Sequence, residues 1–346
     1  MSTTHSKRVA VLGAGSWGTA LAIQLARNSH AVSLWGHRAQ ALNKIEEQRE
    51  NRRYLPGVTL PTSLYIEPEI GHAIERAEVV LIAIPSHVFR PLLEQLKNLI
   101  RPDVILIWAT KGVEQSSHLL LHQVIEEVLG SEQPKALLSG PTFAKEVANG
   151  LPTAVTIASD RSATAQTVAN IFHSETFRCY TSSDLTAVEI GGATKNILAI
   201  AAGIADGLGF GANTRAALMT RGLHEQMQLG IALGGSAETF MGLSGLGDLV
   251  LTCTDDQSRN RRFGLAIGRG HSIEQAVGAI GQVVEGIGAA REVSAIAHSL
   301  GIEMPIIEQV ALVLHHNKAP RQAVRDLLQR ERKSEHTTYC SPCHPV

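Results

Sequence analysis

The chain has 346 residues, 44% hydrophobic and 18% charged, which suits a folded enzyme of about two domains with ample core and argues against disorder. A net charge of −1 gives no general attraction for nucleic acid or an acidic membrane, and the longest apolar stretch, around 185–205, is interrupted by Lys195 and holds several glycines, so no membrane span is expected. Residues 1–8 are polar and run straight into an apolar segment, and the four cysteines form no disulfide framework, so the expected setting is the cytoplasm.

Val9 to Leu12 are consecutive apolar residues, the pattern of a short strand buried on both faces. Gly13-Ala14-Gly15-Ser16-Trp17-Gly18 follows as G-x-G-x-x-G, and Thr19 to Ala26 continue as an apolar-rich helix. Gly13 permits a tight turn, Gly15 lets a pyrophosphate approach the backbone, and Gly18 lets the helix pack on the strand. The unpaired N–H groups and positive dipole end of the helix would face that pyrophosphate. This is a dinucleotide-binding unit by motif and by context.

Ala31 to Trp35 reads as a second strand, ending at Gly36-His37-Arg38. An NAD-selective unit usually places an acid about 20 residues past the glycines to hold the ribose hydroxyls. Here Arg38 stands 20 residues after Gly18, and no acid lies between Val32 and Lys44. An arginine fork matches a 2′-phosphate, which favours NADP and leaves NAD possible; the alternative is a solvated surface arginine.

Residues 39–78 read as helix, loop and shorter helix, punctuated by Pro56, Pro61 and Pro68. Val79–Ile84 is a buried strand closed by Pro85-Ser86-His87, and a helix follows over Phe89–Leu99. Val104–Ala109 is another strand, ending in Thr110-Lys111-Gly112; a helix near 116–129 leads to Ala136–Ser139 and Gly140-Pro141-Thr142. Such alternation predicts a doubly wound parallel sheet, whose ligands lie beyond the carboxyl ends of the strands. Gly13, Ser86, Lys111 and Gly140 stand at such ends.

Residues 153–183 add a strand–helix–strand unit, Thr153–Ile157, Ala163–Phe172 and Phe177–Tyr180. From Asp184 no strand recurs. Helices are expected near 185–206, capped by Ser182, Ser183 or Asp184, and near 213–233, 259–269, 273–279, 286–299, 305–316 and 320–332. The chain therefore divides into an α/β dinucleotide-binding domain over 1–184, an all-helical domain over 185–333 and a loose tail over 334–346.

Lys195 is the only charged side chain between Ile190 and Ala205. A lysine so placed either snorkels to the surface or loses hydration, which lowers its pKa towards the range of a useful acid or base. Gly245-Leu246-Gly247-Asp248 is a glycine-flanked acid between helices. Ser258-Arg259-Asn260 opens a helix with Arg261 and Arg262 behind it, which reads as a phosphate clamp or as a capped helix with a basic face. Val283-Val284-Glu285-Gly286 is another acid at a helix start.

Together these blocks resemble the soluble, bacterial-type NAD(P)-dependent glycerol-3-phosphate dehydrogenases. The resemblance runs through Gly13 to Ala20, Thr110-Lys111-Gly112, Ser139 to Ala144, Gly191 to Asn196, Gly245 to Leu249 and Ser258-Arg259-Asn260, in the family's order over roughly 8–330. It implies a Rossmann domain followed by a helical domain like that of 6-phosphogluconate dehydrogenase. It also implies reversible hydride transfer between NAD(P)H and dihydroxyacetone phosphate, giving sn-glycerol 3-phosphate for glycerophospholipid biosynthesis. Carried over by residue, Lys195 is the proton donor and acceptor, Lys111 holds the reacting oxygen and lowers the pKa of Lys195, and Asp248 orients the pair. Gly140 and Thr142 line the substrate pocket; Ser258, Arg259 and Asn260 hold the phosphate. Ser16, Trp17, His37, Arg38, Lys111, Ala144, Arg259, Val283 and Glu285 touch the cofactor. A homodimer is a family expectation.

The enzymatic rival is a β-hydroxyacid-type dehydrogenase, which spaces an asparagine four residues after its lysine; here position 199 is Ala199 and the asparagine is the adjacent Asn196. A non-catalytic NADP-binding sensor would have lost the set of Lys111, Lys195 and Asp248. No metal is expected. His224 to Gln228 begins like a metalloprotease motif without its second histidine, and His336, Cys340, Cys343 and His344 have the spacing of a zinc clip but read better as a disordered tail.

Overall fold

A strand with no polar alternation has to be covered on both faces, and that requirement organises the first half of the chain. The computed structural model describes residues 6–115 and 117–331. Its first half runs β1 (Arg8–Leu12), α1 (Ser16–Arg27), β2 (Ala31–Trp35), α2 (Ala39–Gln48), β3 (Leu64–Ile66), α3 (Ile70–Ile74), β4 (Val79–Ile82) and α4 (Phe89–Leu96). It continues β5 (Ile105–Trp108), α5 (Leu121–Leu129), β6 (Lys135–Ser139), α6 (Ala144–Ala148), β7 (Thr153–Ala158), α7 (Ser162–Phe172) and β8 (Phe177–Ser182).

The strands form one sheet in the order β3-β2-β1-β4-β5-β6-β7-β8. Successive residues of a strand face opposite layers: Val9 and Val11 join Leu21, Leu25 and Val168 on one side, while Ala10 and Leu12 join Leu93 and Ile125 on the other. β1 to β6 are mutually parallel. β7 runs antiparallel to β6, with Leu138 opposite Ile157, and β8 runs parallel to β7. The reason is the link between them. α6 has 5 residues and rises only about 7.5 Å, against the roughly 16 Å of β6, so the chain turns back without recrossing the sheet.

The second half is helical: α8 (Leu185–Gly207), α9 (Ala212–Ala232), α10 (Ala237–Phe240), a π-helical turn at Leu243–Gly247, α11 (Asp248–Thr254), α12 (Arg259–Gly268), α13 (Ile273–Ile280), α14 (Glu285–Ser299), α15 (Pro305–His315) and α16 (Pro320–Leu328). α8 is the axle, packed on by α9, α11, α12, α14 and α15. Among the described residues it is the one helix long and apolar enough to cross a membrane, but its apolar stretch is buried inside the protein. Asp184 caps it, Oδ1 accepting the Ala187 N–H at 2.9 Å. Glycines bring α12 backbone to backbone with α8: a Cβ on Gly203 would lie 2.1 Å from the Arg261 carbonyl oxygen, and one on Gly264 would lie 2.2 Å from that of Ile200.

Several elements depart from the sequence reading. The strand expected over 79–84 stops at Ile82; the Ala83 N–H still donates to the Leu12 carbonyl of β1 at 2.9 Å, and its own carbonyl lies against Gly13 of the glycine loop. The helix expected from 116 begins at Leu121, after His118 adopts a φ of +61°. β3 falls inside a stretch read as helix and loop, and the last helix ends at Leu328. Asp248 is not between helices but opens α11, one of the short elements α10 and α11 that the residue pattern does not announce. The His336–His344 segment lies outside the described residues.

Candidate active site

α8 crosses the carboxyl ends of β5 and β6. A Cβ on Gly192 would sit at ordinary contact distance, 3.4 Å from Ser139 Oγ and 3.5 Å from Lys111 Cγ, so this face of the helix lies against the lysine that follows β5. One turn later α8 presents Lys195. It does not snorkel: Lys195 is 6% exposed, and Nζ donates to Asp248 Oδ1 and, at 2.9 Å, to Thr252 Oγ1. Lys111 Nζ donates to the other oxygen, Asp248 Oδ2, at 2.6 Å and reaches the Gly140 carbonyl at 3.4 Å.

Asp248 is fully buried between the two ammonium groups. Burial pulls the Lys195 pKa down to about 8, opposed by the Asp248 carboxylate and assisted by repulsion from Lys111. The cluster is therefore an amine that changes protonation near neutral pH, beside a second lysine. Such a pair can give a proton to a ketone oxygen or take one from an alcohol while stabilising negative charge on that oxygen.

The start of α12 lies beside this cluster. Ser258 Oγ caps the helix by accepting the Arg261 N–H at 3.2 Å, and its own hydroxyl proton remains available to donate. Asn260 Nδ2 donates to Asn196 Oδ1 at 2.9 Å, Asn260 Oδ1 accepts the Gly286 N–H at 2.9 Å, and Asn196 Nδ2 donates to Glu285 Oε2 at 3.2 Å. These bonds tie α8, α12 and α14 together next to Lys195. Arg259 is half-buried, with Nη1 donating to Gln282 Oε1 at 3.2 Å. Arg261 instead braces the fold, its buried guanidinium held by Asp206 at 2.6 Å, by Asp256 and by the Cys253 carbonyl at 3.1 Å.

The glycine loop has the features expected of a dinucleotide cradle. Gly13 has a φ of +129°, and a Cβ there would lie 2.3 Å from the Ala83 carbonyl oxygen; a Cβ on Gly18 would lie 1.9 Å from the Gly13 carbonyl oxygen. Around Gly15 the space is open, with nothing within 4 Å. Gly15 is also the N-cap of α1 and offers no side-chain cap, so the N–H groups of Ser16 and its neighbours are left for an anion. Trp17 packs into the core, with its indole Nε1 buried and unpartnered. His37 and Arg38 are exposed beyond β2, with Arg38 Nε donating to His37 Nε2 at 3.1 Å.

The structure thus brings Lys111, Gly140, Lys195 and Asp248 into direct contact, with Thr142 Oγ1 donating to the Gly140 carbonyl at 3.3 Å. Ala144, which opens α6, the exposed Val283 and Arg38 make no hydrogen bond to that cluster. One polar group of the site, Thr252, was not singled out from the sequence. Thr252 stands four residues after Asp248, one helical turn, which was the available signal. Asn196 is next to Lys195 and joins it to the α12 end of the site.

A glycine-loop Rossmann domain, joined to a helical domain that supplies a buried lysine paired through one carboxylate with a sheet-end lysine, defines a two-domain nicotinamide-dependent dehydrogenase. Family models agree: residues 8–165 match the N-terminus of NAD-dependent glycerol-3-phosphate dehydrogenase and residues 184–325 match its C-terminus. The chain belongs to the NAD(P)-dependent glycerol-3-phosphate dehydrogenase family and is an oxidoreductase. It is 55% identical over 329 residues to the Nitrosococcus oceani glycerol-3-phosphate dehydrogenase that uses NAD(P)+, covering 95% of this chain and 96% of that one. It is 52% identical over 328 residues to the enzyme so named from Aeromonas hydrophila, covering 94% and 98%. The crystal structure of glycerol-3-phosphate dehydrogenase from Coxiella burnetii superposes with a TM-score of 0.91 at 45% identity, over 94% of this chain and 99% of that one.

Proposed function

We propose that this chain interconverts dihydroxyacetone phosphate and sn-glycerol 3-phosphate at the Lys195–Asp248–Lys111 cluster, with NADPH as preferred cofactor and NADH as a possible one. The bound nicotinamide supplies the hydride in reduction and takes it in oxidation. Lys195 gives its proton to the carbonyl oxygen in reduction and recovers it from the hydroxyl in oxidation. Lys111 holds the same oxygen and keeps positive charge where the alkoxide develops. Asp248 accepts from both lysines and so fixes where their protons point. Gly140 and Thr142 line the substrate pocket. The phosphate lies at the start of α12 on Ser258, Arg259 and Asn260, where the helix dipole and the arginine favour a dianion and anchor the carbon for attack.

On the cofactor side, Gly13, Gly15, Ser16, Trp17 and Gly18 cradle the pyrophosphate, and His37 and Arg38 meet the adenosine ribose. Lys111, Ala144, Arg259, Val283 and Glu285 complete the contacts. The open space at Gly15, the uncapped start of α1 and the unpartnered Trp17 Nε1 support this reading. Residues 1–184 form the cofactor-binding domain and 185–333 the helical substrate and catalytic domain, with Lys111, Gly140 and Thr142 reaching the substrate from the first and Arg259, Val283 and Glu285 reaching the cofactor from the second. The setting is the cytoplasm, the product feeds glycerophospholipid synthesis, and the working unit is a homodimer without nucleic-acid or integral-membrane contacts.

The observation that carries the proposal is the single buried carboxylate shared by two ammonium groups. The test is oxidation of NADPH by dihydroxyacetone phosphate, repeated with NADH and with unphosphorylated dihydroxyacetone. Turnover confined to the phosphorylated ketone, and abolished in Lys195→Ala with NADPH binding intact, is the expected result. Tight NADPH binding without turnover would sink it.

A further inference from the structure

Lys111 and Lys195 come from different halves of the chain, so their separation is set by whatever joins the halves. The segment after Lys111 runs into the helical core, where Val113 and Leu120 are buried. His118 then places Nδ1 2.9 Å from a carboxylate oxygen of Glu292 on α14. α5 opens beside α8, and there Glu189 makes the most extensive of these joins.

Glu189 is 5% exposed. Its Oε1 accepts from Trp108 Nε1 at 3.2 Å and from the His122 backbone N–H at 3.3 Å, and its Oε2 pairs with His122 Nδ1. Trp108, fully buried, ends β5 three residues before Lys111, while Glu189 stands six residues before Lys195 on α8. One carboxylate thus grips the strand that delivers one lysine from the helix that delivers the other. The remaining charged groups around His122 are Glu126 on α5, Asp160 after β7, Lys135 on β6 and Asp184. Glu126 and Asp160 are paired with Lys135 at 3.0 and 2.7 Å, and Asp184 is engaged by Ser236 and Thr239. Glu189 is therefore the carboxylate that answers the imidazole. Burial lowers the His122 pKa, but Glu189, with a smaller contribution from Glu126, outweighs it and the value ends raised.

A buried ion pair is a weak source of stability compared with apolar residues of similar volume, and its best-attested use is to specify register. We propose that Glu189 is a positioning residue for hydride transfer: by holding Trp108 and His122 together it fixes Lys111 against the Asp248–Lys195 pair. The proposal rests on the lysine roles proposed above. Asp248 moves with Lys195, since α11 packs on α8. Loosening the tie therefore draws Lys111 away from both, weakens its repulsion of Lys195 and raises the Lys195 pKa.

The test compares Glu189→Ala, Glu189→Gln and His122→Ala with wild type, counting folded sites by NADPH titration. Glu189→Ala should lower kcat per folded site on the order of 10- to 100-fold and move the Lys195 limb of the pH–rate profile to higher pH. Glu189→Gln keeps an acceptor for Trp108 and should restore much of both; His122→Ala, at the edge of the pair, should shift the limb the same way and less. Should Glu189→Ala fail to fold, the other two decide. Lower thermal stability with an unmoved limb and unchanged kcat per site would overturn the proposal. Turnover surviving in Lys195→Ala would instead overturn the lysine roles beneath it.

Discussion

Gly203→Ala tests whether the α8–α12 contact sets the geometry of the site. The new Cβ would lie 2.1 Å from the Arg261 carbonyl oxygen and 2.7 Å from the Leu265 nitrogen, both backbone atoms, so no rotamer change can absorb it. Ordinary contact begins near 3.4 Å, so α12 has to retreat by about 1.3 Å in a close-packed interior. Overpacking of this kind costs roughly 1–3 kcal/mol, against about 1 kcal/mol recovered from replacing a mid-helix glycine. A net loss of up to about 2 kcal/mol lowers Tm by several degrees. The larger effect falls on turnover. α12 carries Asn260, bonded to Asn196 beside Lys195, and a displacement of about 1 Å in a positioned substrate costs on the order of 100-fold. Thermal denaturation and steady-state kinetics should show a modest fall in Tm and a large fall in kcat/KM for dihydroxyacetone phosphate, with NADPH binding weakened far less, since of the cofactor contacts only Arg259 rides on α12. Gly278→Ala is the control, because that helical position on α13 has open space around it; it should be neutral or slightly stabilising. If the two variants behaved alike, the backbone contact would not be what places α12.

Arg38→Ser should raise the KM for NADPH about 10-fold or more while leaving NADH almost unaffected, since a charge-assisted hydrogen bond to phosphate contributes roughly 1.5–3 kcal/mol; equal effects on both cofactors would refute a 2′-phosphate contact. Lys195, with a pKa near 8, should make glycerol 3-phosphate oxidation rise with pH through about 8 and ketone reduction fall over the same interval; a limb near the ordinary lysine value of about 10.4 would contradict the buried cluster. Glu225 accepts the Ile306 and Ile307 N–H groups at the start of α15, and burial raises its pKa from 4.5 to about 7 despite those bonds. The unfolded chain therefore ionises first, and stability drains away as pH rises from 4.5 to about 7. Glu225→Gln cannot ionise, so its Tm should decline less between pH 5 and pH 8 than that of wild type; parallel curves would sink the assignment.

The parallel strands of the first half were legible because each is buried on both faces and reads as an unbroken apolar run. β3 was not: of Leu64, Tyr65 and Ile66 only Leu64 is buried, and three edge residues carry no period. The reversal at β7 was hidden because residue pattern encodes burial and not direction. The start of α5 was missed because Leu119, Leu120 and Leu121 continue the apolar pattern across the turn at His118. Within the site, Lys195 announced itself as a lone charge in an apolar helix. Its bond to Asp248 spans 53 residues, and that of Lys111 spans 137. No local period reports such a meeting, so the partnership rested on family resemblance. Glu189 gave no signal at all, since a glutamate near a helix start suits the dipole whether it is buried or solvated.

The charge count of the cluster has a consequence for the bound state. Two ammonium groups share one carboxylate, so with both lysines protonated the buried site carries an excess positive charge, and burial together with Lys111 pushes Lys195 towards its neutral form. On the proposed reading, the substrate brings a dianionic phosphate to the adjacent start of α12. An anion brought near favours the protonated amine and raises the Lys195 pKa, so binding of the ketone would itself load the proton that reduction consumes. With cofactor saturating, the pH dependence of kcat/KM reports groups before the phosphorylated substrate binds, and that of kcat reports groups in the loaded complex. The falling limb of ketone reduction should therefore lie at higher pH in the kcat profile than in the kcat/KM profile. The gap should narrow in an Arg259→Lys, Asn260→Ala double variant that holds the phosphate less closely. Coincident limbs in wild type would mean that the phosphate does not act electrostatically on Lys195, and would place it away from the start of α12.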